Sequence, residues 1–174
     1  TRQVLEGTPW IAAWNKDVVI VGDGDTGNDC VGTAVRQRSR SVTAIEMMPK
    51  LPDQRQPGNP WPEWPNVSKT DYGQQEAIAQ YGRDPRLFET TVTEAIGEDG
   101  QIEAVRIAKV TFTDGRMQIV EGSEQVIPCD LLLIAAGFTG IEGNLKDTFA
   151  LETTSRNVIA TDGYQTADPQ IFAA

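Results

Sequence analysis

The chain has 174 residues, 39% of them hydrophobic and 23% charged, which suits one globular domain with room for a fragment of another. Its 15 basic and 25 acidic residues leave a net charge of −10, which argues against nucleic acid or anionic lipid as a main partner. Histidine is absent and the two cysteines, Cys30 and Cys129, form no CxxC pair, so metal and cluster sites lack their usual ligands and Ser-His or Cys-His catalysis is ruled out.

Residues 1–16 are weakly patterned, and Val4, Leu5, Ile11 and Trp14 are expected to cap a sheet edge as an N-terminal extension. From Asp17 the pattern sharpens. The β-branched run Val18-Val19-Ile20-Val21 predicts a strand, followed at once by Gly22-Asp23-Gly24-Asp25-Thr26-Gly27 and a segment of helical periodicity. Strand, glycine turn and helix in that order is the context a dinucleotide fingerprint requires. There Gly22 permits the tight turn, Gly24 lets backbone approach a pyrophosphate, and Gly27 brings the helix close to the sheet. Free N–H groups and the dipole at the helix start favour an anion, which adds Asp25 and Thr26 as candidate pyrophosphate contacts. The competing reading is a βα unit that turns tightly and binds nothing. The helix is expected over 25–37, with Cys30 on its apolar face as core rather than reactive thiol. Residues 41–46 predict the second strand. Its last residue, Glu46, stands 22 positions after Gly24, near the spacing of the carboxylate that meets an adenosine ribose. Without the glycine motif, such a glutamate is only a solvated strand tip.

Residues 47–65 carry Pro49, Pro52, Pro57, Pro60, Pro62 and Pro65 with Trp61 and Trp64 between them, which excludes helix and central strand. Tryptophans argue for an ordered, partly exposed loop. Two placements are open for them, the domain's own surface or a neighbouring domain. Residues 71–81 predict a helix capped by Asp71 and Gly82. Three β-rich segments follow, at 89–96, 102–113 and 117–127, separated by Asp99-Gly100 and Asp114-Gly115 hairpin signals. The apolar run at 129–137 predicts a strand covered on both faces. At its carboxyl end Ala136, Gly137 and Phe138 are candidate cofactor contacts, with a plain strand-to-loop turn as the alternative. Shorter strand signals occupy 158–162 and 171–174. The fold class is therefore α/β, a Rossmann-like parallel sheet with helices on one or both faces and an inserted three-stranded antiparallel meander. The missing initial Met and the apolar string at the end lead us to expect a piece of a longer polypeptide. No apolar run reaches a membrane span and no signal-peptide pattern opens the chain, so a cytoplasmic protein without a disulfide is expected.

This arrangement resembles the pyridine-nucleotide domain of two-domain flavoprotein disulfide-reductase-like enzymes. More specific strings narrow the likeness. Gly22-Asp23-Gly24-Asp25-Thr26-Gly27-Asn28-Asp29-Cys30, Glu46-Met47-Met48-Pro49, Asn59-Pro60-Trp61-Pro62-Glu63-Trp64-Pro65 and Asp71-Tyr72-Gly73-Gln74 resemble the small (β) subunit family of glutamate synthase, from about Lys16 onward. The resemblance implies that residues 17–150 bind NADH or NADPH and that 151–174 belong to a FAD-binding domain. It also implies that FAD and iron–sulfur clusters occur only in the full-length protein, that electrons pass toward the large subunit for glutamate formation, and that this piece alone is inactive. Partners are then NAD(P)H, the FAD domain and the large subunit. Hydride transfer asks no acid or base of this domain, so no catalytic residue is expected. The family commonly has glycine where Asp23 stands. Glu46 tilts the expected preference toward NADH, while Lys50 and Arg55 are candidates to meet a 2′-phosphate. Another flavin-linked reductase, or a non-catalytic nucleotide-binding module, are the alternatives.

Overall fold

The run of β-branched residues after Lys16 forms β1 (Asp17–Val21), and its Val18, Val19 and Ile20 are almost wholly buried in this computed structural model, which describes residues 10–173. Burial on both faces places β1 inside a parallel sheet of order β3-β2-β1-β8, with β2 at Ser41–Ile45, β3 at Arg86–Leu87 and β8 at Leu131–Ile134. The alternation of side chains along β1 divides the core. Val18 and Ile20 meet Val31 and Ala34 of α1 (Asp25–Arg36) and Ala77 of α2 (Tyr72–Tyr81). Val19 on the other face meets Val105, Ile107 and Cys129. Helices therefore cover one face only. The other is covered by an antiparallel sheet.

That sheet is built on a long strand, β5 (Gln101–Thr113), paired with β4 (Thr90–Glu98) along one edge. The third expected segment, 117–127, is not one strand. It divides into β6 (Arg116–Ile119) and β7 (Gln125–Pro128), both paired with β5. Gly122, at φ 73°, turns the chain between them, and the Lys109 amide bonds the Ser123 hydroxyl (2.9 Å) where regular pairing would supply a carbonyl. A glycine turn inside an apolar-polar pattern ends pairing without changing the period, which is why the pattern looked continuous.

Three further expectations need correction. The strand expected over 129–137 is short and half-buried, with Ile134 70% exposed, because it is the edge of the parallel sheet rather than an inner strand. Ile11 and Trp14 are exposed and cap nothing; the small Ala13 is the residue that reaches the core, its amide bonded to Gln37 Oε1 (2.7 Å). Val4 and Leu5 lie outside the described residues. The signals at 158–162 and 171–174 give only single bridges, Thr153 with Ile159, Asp162 with Gln165 and Gln165 with Phe172.

The chain divides into two compact units, one ending at Ala136 and one beginning at Gly137. The second contains those bridges and a short helix, α3 (Gly143–Thr148), which its sequence had not suggested. All of the site described next lies in the first unit.

Candidate dinucleotide site

Gly22 leaves β1 at φ 104°, a conformation that strains any residue with a side chain, and its amide bonds Ile45 O (2.8 Å) at the end of β2. A Cβ on Gly22 would strike the Ala135 carbonyl, and one on Gly27 would strike the Gly22 carbonyl. The fold itself thus demands these two glycines. Gly24 differs. It is the N-cap of α1 with ordinary φ (−70°), and a Cβ there would meet nothing within 4 Å. The first bond into α1 is Asn28 N to Gly24 O (2.9 Å), and no bond among the described residues uses the N–H groups of Gly24, Asp25, Thr26 or Gly27. Asp25 and Thr26 are exposed beside these amides. The Asp25 carboxylate partly satisfies the dipole and so competes with an incoming anion.

Glu46 stands across the turn. Its Oε2 accepts from the Asp23 amide (3.3 Å) and its Oε1 from the Met48 amide (2.7 Å), so the carboxylate spans the fingerprint turn and the end of β2. Asp23 turns its own carboxylate elsewhere. Gln74 Nε2 donates to Asp23 Oδ1 (3.0 Å), and Arg86 Nη1 lies 3.6 Å from Oδ2. Burial holds the Asp23 carboxyl above the usual carboxylate range, with the Gln74 bond and the Arg86 charge opposing that shift. Gln74 is placed by the capping box of α2, its Oε1 accepting from the Asp71 amide (2.7 Å). The buried Asn28 of α1 fixes the same helix start by accepting from the Gly73 amide (2.9 Å).

Arg86 connects the two sides of this region. Its side chain is 5% exposed. Nε and Nη2 form a fork on Asp84 (2.9 and 2.8 Å), and Nη1 donates to Lys69 O (2.7 Å). Those bonds draw the Asp84 carboxyl below its usual range. β3, only two residues long, thus ties the fingerprint turn to the exit of the proline-rich loop.

That loop is ordered by its own polar groups. Arg55 Nη1 donates to Asn59 O and Glu63 O (3.0 Å each), and Asn59 Nδ2 donates to Trp64 O (3.0 Å). Lys50 pairs with Asp53 (3.2 Å). Of the two candidates for a 2′-phosphate, the Arg55 guanidinium is spent on loop carbonyls, and Lys50, paired with Asp53, stands between Pro49 and Leu51, which line the cleft. The cleft, about 540 Å³, is lined by Asp23, Gly24, Asp25 and Glu46 together with Trp64, Lys69 and Phe88. Trp64 and Lys69 were not among the expected contacts; only the aromatic content of the loop hinted at them. Of the trio at the end of β8, Ala136 adjoins Gly22 within the first unit, whereas Gly137 and Phe138 open the second unit, where Phe138 is 97% exposed.

No family model matches the chain. It is 42% identical over 155 residues to glutamate synthase (NADH) of Saccharomyces cerevisiae, covering 84% of this chain and 7% of that protein. It is 38% identical over 172 residues to the glutamate synthase (NADPH) small chain of Bacillus subtilis, covering 95% of this chain and 35% of that one. The chain is homologous to one segment of glutamate synthase. It spans about a third of the bacterial small chain, and the glutamate synthase relatives include proteins named for NADH and for NADPH, so kinship alone leaves the nucleotide open. Its backbone also matches a thioredoxin reductase of T. acidophilum, with TM-score 0.62 and 25% identity over 92% of this chain and 44% of that one. This segment thus has a Rossmann-like architecture of the kind found in that thioredoxin reductase.

Proposed function

We infer that this chain is the NAD(P)H-binding part of a glutamate synthase small chain, which oxidises the nucleotide and passes electrons by way of FAD toward glutamate formation. The observation that carries this reading is the set of amides from Gly24 to Gly27, unbonded among the described residues, with an open Gly24 and with the Glu46 carboxylate bonded to the adjoining Asp23 amide. Those amides suit a pyrophosphate, and Glu46 suits ribose hydroxyls. When bound, the dihydronicotinamide supplies a hydride and FAD accepts it. The chain's part is to hold and orient, through Gly22, Gly24, Asp25, Thr26 and Gly27 at the pyrophosphate and Glu46 at the ribose, with Ala136, Gly137 and Phe138 as further contacts. In this reading residues 17–150 form the nucleotide domain and 151–174 belong to the FAD domain, whose clusters and large-subunit partner complete the electron path. A cytoplasmic location is part of this reading; among the described residues no helix is long and apolar enough to cross a membrane. The match to thioredoxin reductase favours, as a second reading, another flavin-linked reductase.

Calorimetric titration of the intact protein with NADH and NADPH tests the reading. Gly24→Val should weaken binding at least tenfold while leaving the melting temperature unchanged, because Gly24 has ordinary φ and open surroundings. No binding of either nucleotide by the wild type, or full affinity in Gly24→Val, would overturn it.

A further inference from the structure

The cleft is lined by four carboxylates, Asp23, Asp25, Glu46 and Asp71, and by two cations, Arg86 and Lys69. Arg86 is committed to Asp84 and Lys69 O and lies near Asp23. Lys69 is not committed. It forms no ion pair among the described residues, and its Nζ rests 4.7 Å from the centroid of the Trp64 ring. Its main chain is fixed through the bond from Arg86, and that of Trp64 through the bond from Asn59 (3.0 Å). The ammonium is therefore held over an aromatic face, where it keeps its charge while no carboxylate neutralises it.

We propose that Lys69, backed by Trp64, is the residue that accepts the ribose 2′-phosphate of NADPH, so that Lys69 and Glu46, which line one cleft, act as opposed determinants of nucleotide choice. This rests on the dinucleotide reading above. The pyrophosphate is provided for by the amides of α1, and Glu46, bonded to the Asp23 amide of the same turn, repels a second phosphate. A phosphate on the adenosine ribose must therefore find its counter-charge elsewhere in the cleft. Its uncommitted cation is Lys69. A chain with Glu46 alone would reject NADPH strongly; with Lys69 in the same cleft, it tolerates both nucleotides.

The test measures dissociation constants of NADH and NADPH for the intact protein by calorimetry, for wild type, Lys69→Gln, Lys69→Arg and Lys50→Gln. Lys69→Gln should weaken NADPH roughly tenfold and leave NADH within about twofold, since loss of one charge-assisted bond to phosphate is worth a decade or more. Lys69→Arg should retain NADPH binding, and Lys50→Gln, whose cation is already paired with Asp53, should change neither. An unchanged NADPH-to-NADH ratio in Lys69→Gln, with both nucleotides still bound, overturns the proposal and leaves the dinucleotide reading intact. An equal loss of both nucleotides also overturns it, by making Lys69 a general contact. Failure of wild type to bind either nucleotide removes both.

Discussion

Replacing Arg86 by methionine keeps the approximate length of the side chain and deletes its charge, which isolates what the guanidinium contributes. The structure allows the cost to be assembled. Asp23, 12% exposed, loses the one cation near it among the described residues and keeps one bond from Gln74, which costs about 1–3 kcal/mol for a buried group left undercompensated. The Lys69 carbonyl loses a charge-assisted bond (2.7 Å), about 1–2 kcal/mol more. The fork on Asp84 adds less than about 1 kcal/mol, since that carboxylate is 41% exposed and returns to water. A loss of about 3–5 kcal/mol is expected, in line with breaking a buried ion pair from one side. Urea unfolding of wild type and Arg86→Met, compared at equal slope, measures it. Repeating the pair in an Asp23→Asn background closes a double-mutant cycle, and at least about 1 kcal/mol of the loss should disappear once no buried carboxylate awaits a partner. A loss below about 1 kcal/mol, or the same loss in both backgrounds, would refute the view of Arg86 as the tie between the turn and the loop.

The acid limb of stability should separate Asp84 from Asp23. Asp84 titrates below its unfolded value near 3.9, so its stabilisation is complete above that pH and disappears as pH falls through the lower folded value; Asp84→Asn should cost more at pH 7 than at pH 3 in chemical denaturation. Asp23 titrates above its unfolded value, so it opposes folding at neutral pH and the penalty vanishes as pH falls toward 4; Asp23→Asn should be neutral or stabilising at pH 7, with that gain shrinking in acid. Glu46→Ala should weaken NADH by roughly tenfold and narrow the gap to NADPH in a calorimetric titration, because one or two charge-assisted bonds to ribose are lost together with the repulsion of a 2′-phosphate. Ile20→Ala, at a wholly buried position in β1, should cost about 2–5 kcal/mol in urea unfolding, whereas Ile134→Ala on the 70% exposed edge should cost under about 1 kcal/mol.

What the sequence made legible was local. The glycine string, the β-branched run before it and the Asp71 cap each depend on neighbours within a few residues, and each appears where the spacing indicated. Glu46 was legible because the strand-turn-helix unit fixes how far its carboxylate lies from the turn, and the bond to the Asp23 amide shows the two together. Arg86 was not, because β3 is two residues long and carries no period, and apart from Asp84 its partners, Asp23 and the Lys69 carbonyl, come from distant segments. Trp64 and Lys69 likewise gain their place through Asn59 and Arg86, contacts invisible to composition. The division of the third meander segment was hidden because its pattern stays compatible with strand on both sides of Gly122. The half-burial of β8 was hidden because an apolar run does not reveal whether a strand stands at the edge of its sheet.

Gly22, Gly24 and Gly27 look alike as letters, yet their surroundings sort them by what would notice their loss. Two are walled in, Gly22 by the end of β8 and Gly27 by Gly22 itself, while Gly24 faces open space. A population of randomised genes screened only for soluble, folded product would keep glycine at 22 and 27 and let 24 drift; the same population screened for growth that depends on the bound nucleotide would hold all three. The fingerprint would therefore decay in a set order in a lineage released from nucleotide use, with its middle glycine the first to go.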